Sequence, residues 1–545
     1  MRVRDSSNLP GDPTAAPGSL SALSNALGDT AEAAGALAAL REAVGIYRKL
    51  AEDNSARFAP RLATSLYNLS LGLSDAGDAA AALAAIREAV EIRRRLAHEN
   101  PMRFAPDLAQ SLNDLSVHLS DAGDGAGALA TIQEAVEIRR RLAQDNTARF
   151  APDLAASLNN LALRLSDAGD GAAALETIHE AVEIRRRLAQ ENPARFAPDL
   201  AQSLNNLSNR LSDAGDDAGA LAAIQEAVDT RRRLTRANPA RFAVDLAASL
   251  NNLSLRMSDA GDDAGALAAI REAMEIRRRL AKDNPARFTP DLAMSLNNLS
   301  NALSNAGNGE AALSAIREAV ESYRRLARDD PARFAPDLAD CLNNLSLRLS
   351  DVGDGAAALV VIQEAVDTYR RLAQDNPARF APDLAMSLNN LSNALSEAGD
   401  GAAALAAIRE AVEIRRRLAR DNSGRFAPDL AVSLNNLSLR LSDAGDGASA
   451  LTAIREAVDT YRRLAQDNPA RFAPGLATSL NNLSLRLSEA GEPSGALAAI
   501  REAVEIRRKL ARDIPARFAS ALERSLAVLS RLEPKNPSPD FSYRV

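Results

Sequence analysis

The sequence holds no tryptophan, one cysteine and three histidines, and only 3% of it is aromatic. The lone Cys341 cannot close an internal disulfide and has no ligand set around it, so it reads as a small buried hydrophobe. His98, His118 and His179 fall in different registers of the chain, which leaves no repeated metal set and no Ser/His/Asp arrangement. Acids are plentiful but recur alike throughout, without the special environment that separates a general acid from a general base. No glycine turn is followed by the Lys-Ser/Thr of a phosphate loop. The expectation is a protein that is not an enzyme and carries no cofactor and no metal. With 65 Lys+Arg against 72 Asp+Glu, no positive excess exists to follow phosphates, so nucleic acid is not an expected partner. Met1 to Ser19 contains no apolar run, and nothing later approaches the ~18 uninterrupted apolar residues of a membrane span. A cytoplasmic monomer with no membrane contact is expected.

What the chain has is repetition. An Arg-Phe pair starts at Arg57, Arg103, Arg149, Arg195, Arg241, Arg287, Arg333, Arg379, Arg425, Arg471 and Arg517, always 46 residues after the last. A fixed period of that length marks supersecondary units that cannot bury an apolar face alone and must stack. The 46% hydrophobic content, mostly Ala and Leu, suits closely packed helices. The fold class is therefore all-α, a solenoid of stacked antiparallel helix pairs. Residues 1–18 read as a disordered lead and 19–56 as a worn first unit. Ten full units fill 57–516, 517–533 form a capping helix, and the Pro-rich 534–545 are a disordered tail.

Within the unit 425–470, Pro428 and Asp429 suit the start of a first helix, and Gly445 suits its end. Asp446 can cap a second helix from about Gly447 to Gln466, closed at Asn468-Pro469. Arg triplets in the second helix, such as Arg185 to Arg187, follow acids such as Glu183 and read as a salt-bridged outer face.

Leu434, Leu437, Ser438, Leu441, Gly445, Ala450, Ile454 and Ala457 fall on the apolar, small and turn positions of a helix-turn-helix signature. On these residues the chain resembles the tetratricopeptide repeat (TPR), in a lengthened version like that of the kinesin light chain group and its bacterial relatives. The resemblance implies a right-handed superhelix with the first helices lining a concave groove, and a protein or peptide as partner. Projection at about 100° per residue puts Val432, Asn436, Leu439 and Asp443 on the inner side of the first helix. The candidate partner-binding residues are then an asparagine ladder, Asn68, Asn160, Asn206, Asn252, Asn298, Asn344, Asn390, Asn436 and Asn482, with Leu255, Leu347 and Leu439 and the acids Asp167, Asp213 and Asp259. An amide can bond to peptide backbone whatever the side chains, and TPR proteins such as the transferase that adds N-acetylglucosamine use a comparable ladder. The alternative is that these asparagines bond across to the next unit. The adjacent asparagines, such as Asn205 and Asn251, read as structural. An acidic groove favours a neutral or basic extended segment. The reading is a non-enzymatic interaction scaffold holding such a segment; a sensor arm of a bacterial signalling system, with its ATPase or protease effector encoded elsewhere, is the alternative.

Overall fold

The computed structural model describes residues 30–533, and over them the chain is a series of helices joined by tight turns. The lead 1–18, the tail 534–545 and the first helix of the worn unit lie outside the described residues. The unit Pro193–Ala237 shows how local sequence sets the pattern. Its first helix, Pro193–Asp213, ends at Gly215, whose φ of +80° is the left-handed conformation glycine adopts without strain. Asp216 then accepts from the Gly219 amide and caps the second helix, Asp217–Ala237.

Asn238 closes that helix by donating its amide to the Leu234 carbonyl, and its side chain accepts from the Arg241 amide to cap the next first helix, Pro239–Asp259. One residue thus ends one helix and begins another, and Pro239 fills the first position, where no amide proton is needed. This corrects the expected start at the inner proline. Pro428 lies inside the helix Ser423–Asp443, and the Arg-Phe pair is in its first turn. The extra length over a shorter unit is therefore shared by both helices, each of 21 residues. In every unit from Arg57–Phe58 to Arg517–Phe518 the guanidinium stacks on the neighbouring ring at 4.8–5.2 Å.

The chain divides into two compact units, 1–119 and 120–545. In the first, Val44, Leu62, Leu66, Ala82 and Ala89 form the core. In the second, a continuous core runs through the repeats from Met274 to Ala503, with Ala312, Ile316 and Ala319 of one second helix and Leu342 of the following first helix fully buried. Alanines let neighbouring helices approach closely, and Leu and Ile fill the space between them. Cys341 is buried in this core, where desolvation pushes its thiol above the usual range, as expected of a packing residue.

Candidate functional site: the inner face and the joints beneath it

In the second compact unit consecutive first helices, such as Pro239–Asp259 and Pro285–Asn305, touch one another directly, and consecutive second helices approach less closely. The stack therefore curves with its first helices on the concave side. Their outward-pointing positions are the ones projected from the sequence. Exposed large apolar side chains gather there. Leu163, Leu255, Leu347 and Leu439 share one position of the repeat, and Met294, Met386 and Val432 share the position seven residues earlier, on the same stripe; within the first compact unit Leu71 and Val117 hold the equivalent position. In two of the three units where asparagine replaces the leucine, at Asn301 and Asn393, the methionines Met294 and Met386 supply the apolar group instead, whereas the unit with Asn209 has Gln202 there.

The ladder asparagines are half-buried between these apolar groups. At Asn206, Asn252, Asn344, Asn390, Asn436 and Asn482 the amide turns toward the preceding unit. Asn206 donates to Asn159 Oδ1 at 3.1 Å, Asn252 to Asn205 at 3.1 Å, Asn344 to Asn297 at 2.8 Å, Asn390 to Asn343 at 3.3 Å, Asn436 to Asn389 at 3.0 Å and Asn482 to Asn435 at 3.2 Å. Asn68, Asn160 and Asn298 occupy the equivalent half-buried positions. The acceptors belong to the adjacent asparagine set, buried at Asn159, Asn205, Asn343, Asn389 and Asn435 and half-buried at Asn297, and this set also bonds to a serine of the following unit, as Asn435 Nδ2 does to Ser479 Oγ at 2.8 Å.

The acids do not form an uncompensated wall. Asp167 pairs with Arg164 at 3.5 Å, Asp213 with Arg210 at 3.2 Å and Asp259 with Arg256 at 3.4 Å, each one helical turn earlier, and the arginine stems are largely covered. The i, i+3 spacing in the last turn makes such pairs geometrically easy, so an acidic stripe read from one residue type is neutralised by its neighbour. Another pair of acids on the inner side is less fully neutralised, with Arg425 and Arg379 only partly offsetting what raises Asp383. Asp340 and Asp383 sit near one another around Tyr369, whose hydroxyl donates to Asp340 at 2.5 Å. Burial first and the Asp340 charge second push the Asp383 carboxyl up to about 6.

The sequence reading missed the joint under this face. The first arginine of each triplet is buried and does not lie on the outer surface. Arg185 reaches forward to the following unit and donates to the Asp199 carbonyl at 2.8 Å and to Ser203 Oγ at 2.7 Å, and Ser203 also accepts from Asn159 at 2.8 Å. Arg231, Arg277 and Arg415 repeat the arrangement on the carbonyls of Asp245, Asp291 and Asp429 at 2.7–2.8 Å. Desolvation lowers the pKa of Arg185, offset in part by the Asp199 charge. In four units, at Tyr47, Tyr323, Tyr369 and Tyr461, tyrosine takes this place. Tyr323, Tyr369 and Tyr461 donate back to the carbonyls of Pro290, Pro336 and Pro428. Cys341 stands where Ser387 and Ser433 stand in other units, and it does so in a joint whose second helix supplies Tyr323, so no guanidinium there needs a hydroxyl acceptor. The signal was present in the sequence. This position reads Tyr47, Arg93, Arg139, Arg185, Arg231, Arg277, Tyr323, Tyr369, Arg415, Tyr461 and Arg507, two long side chains with polar tips and nothing else.

The second and third arginines serve the outer face as expected, the third by pairing with the acid four residues earlier, as Arg141 does with Glu137 and Arg417 with Glu413. Arg140–Glu180, Arg186–Glu226, Arg232–Glu272, Arg324–Glu364, Arg370–Glu410 and Arg416–Glu456 link neighbouring second helices at 2.5–2.9 Å. Among the described residues no group of three His, Cys, Asp or Glu could hold a metal ion, and no helix is long and apolar enough to cross a membrane.

The family described as Tetratricopeptide repeat matches eleven segments, 18–56, 62–100, 108–147, 154–194, 200–235, 246–286, 292–332, 338–378, 384–422, 430–470 and 476–511. Among solved structures, BtubC (BKLC) from P. vanneervenii is 23% identical with a TM-score of 0.37, over 45% of this chain and 90% of that one. A Podosopora anserina protein of nearly identical TPR-like repeats is 16% identical with a TM-score of 0.32, over 41% of this chain and 98% of that one. No curated protein matches the chain.

Proposed function

Because the chain belongs to the tetratricopeptide-repeat family, we propose that it is a non-catalytic interaction scaffold whose inner face holds an extended protein segment. The observation that carries the reading is the concentration of exposed Leu, Met and Val on one stripe of the first helices. A solvated face has no physical reason to keep large apolar groups at a repeating position, and contiguous apolar exposure marks interaction surface. Asn436 gives one amide proton to Asn389 and keeps an oxygen and a second proton with which to meet a backbone. Leu255, Leu347 and Leu439 supply the contact area, and the paired Asp167, Asp213 and Asp259 form a polar rim. The carboxyls of Asp340 and Asp383, the latter only partly offset by Arg425 and Arg379, favour a partner with neutral or basic side chains. In this reading the array works in the cytoplasm as a monomer.

The test is selection of extended peptides from a random displayed library on the full chain, followed by titration of a selected peptide against Leu255→Glu/Leu347→Glu/Leu439→Glu. These leucines are exposed, so helicity and Tm should be unchanged while affinity falls at least roughly a hundredfold, as for loss of two or three apolar anchors. A selected peptide that binds the triple variant as tightly as the parent would remove the inner stripe from the function.

A further inference from the structure

Six units after they begin, the helices of the second compact unit meet the turns of earlier ones. The helices Thr147–Asp167 and Ser423–Asp443 are six 46-residue units apart, yet Asn422 Nδ2 and Arg425 Nη1 both donate to the Asp167 carbonyl at 3.4 Å. One unit on, Asn468 Nδ2 donates to the Ala214 carbonyl at 2.9 Å. One further on, Arg517 donates to the Asp259 carbonyl at 3.3 Å and to Asp217 Oδ2 at 3.0 Å. The superhelix therefore closes on itself along a regular seam.

The chemistry of the seam is that of helix ends. The last carbonyls of a first helix have no partner in their own helix and carry the negative end of its dipole, and they face the start of another first helix, which carries the positive end. Glycine lets the backbones approach. A Cβ on Gly215 would stand 2.8 Å from the Arg471 amide nitrogen, and one on Gly169 would stand 2.9 Å from that of Arg425. Gly424 occurs where other units carry alanine, and a Cβ there would stand 3.2 Å from the Gly169 carbonyl. At Gly307, Gly353, Gly399 and Gly445, for which the described residues supply no helix six units on, a Cβ would meet nothing within 4 Å.

We infer that this seam is a gate. It is closed at rest, it walls off the inner stripe from the side, and it parts to admit a partner. Between stacked units lies a continuous apolar core with buried polar joints, whereas the seam offers one or two partly exposed hydrogen bonds per unit. The element with the fewest buried contacts opens first. A segment that binds the inner face from the side binds only the parted state, so its apparent affinity is reduced by the fraction closed, and anything that weakens the seam raises it. The gate serves the proposed peptide site, but its existence is tested without any peptide.

In a Cys341→Ser background, single cysteines are placed on the inner stripe (Leu347→Cys) and on the outer surface at the 70% exposed Val360 (Val360→Cys). Each is labelled with N-ethylmaleimide and with a bulky polyethylene-glycol maleimide, and the ratio of the two rates is taken. If the seam is parted a tenth of the time or less, the bulky reagent should be slowed at least roughly tenfold at residue 347 relative to residue 360. The seam variant is Asn422→Asp/Asn468→Asp/Arg517→Gln. Aspartate keeps the cap oxygen, as Asp330 does for Arg333, and loses the amide donor to the seam. It should bring the ratio at residue 347 to within about twofold of that at residue 360, with unchanged circular dichroism. Equal ratios at the two sites in the parent, or an inner ratio that the folded seam variant leaves unchanged, would overturn the gate. Either result leaves the peptide titration to judge the site itself.

Discussion

Arg185 and Arg186 are neighbours in sequence and identical in chemistry, and they belong to different regions of the molecule. Arg185 is buried in a joint with no carboxylate bonded to it, held by a carbonyl and a hydroxyl of the next unit. Arg186 is over a third exposed and bridges to Glu226 on the outer ladder. The same charge is thus used once as a directional donor that fixes how two units meet, and once as a screened ion at the surface. Register decides which. Successive helical residues lie about 100° apart, so a one-residue step carries a side chain from the packed flank to the solvent.

The comparison breaks hardest at the joint. Arg185→Ala leaves the Ser203 hydroxyl and the Asn159 amide to rearrange around an empty volume, and loss of charge-assisted buried hydrogen bonds together with the packed stem should cost about 2–4 kcal/mol. Urea denaturation followed by circular dichroism measures it. Arg185→Tyr should recover at least half of that loss, because Tyr323, Tyr369 and Tyr461 hold the same place by donating to a proline carbonyl of their own unit, and Pro152 occupies the corresponding position here. A tyrosine variant as unstable as the alanine one would show that the two kinds of joint are not interchangeable.

A smaller effect separates the two regions by pH. The outer acids are paired in solvent, whereas Asp383 is partly buried beside Asp340 and its carboxyl is pushed up to about 6. A carboxyl whose folded pKa lies above its unfolded value destabilises the fold when charged. Its penalty is fully present above the folded value and is relieved as pH falls through 6 toward the ordinary carboxylate range. Asp383→Asn should therefore stabilise the protein at pH 8 by on the order of 1–2 kcal/mol and have little effect at pH 4. Paired thermal melts at the two pH values check the sign, and equal shifts at both would assign the effect to something other than this ionisation.

Much of this was legible in the chain before any coordinate. The invariant interval around Arg-Phe gave the stack, Gly445 and Asp446 gave the turn, and the 3.6-residue projection gave the inner stripe at Val432, Asn436 and Leu439. Local rules govern these features, so local sequence reveals them. The helix starts were misread because Pro428 is as good a first-turn residue as Pro469, and only the Asn468 side chain bonding to Arg471 shows which of them begins a helix. The arginine joints and the six-unit seam were out of reach for a different reason. Which flank of the second helix faces the next unit, and how many units complete a turn, depend on the angle between stacked units, which is the sum of many small packing preferences.

The smallest effect expected is on the outer ladder, and it is the one that most sharpens the contrast with the joint. Arg186 Nη2 lies 2.9 Å from Glu226, with side chains 38% and 45% exposed. Ion pairs in such surroundings are screened by water and salt and lose side-chain entropy when they form, so a double-mutant cycle of Arg186→Ala and Glu226→Ala should give a coupling of about 0.2–1 kcal/mol. The coupling should shrink toward zero in 1 M salt, where the screening length is about 3 Å. The Arg185 loss should barely change under the same salt, because its partners are a carbonyl and a hydroxyl out of reach of ions. A ladder coupling as large as the joint, or a joint as salt-sensitive as the ladder, would mean that the two arginines are not separated by burial after all.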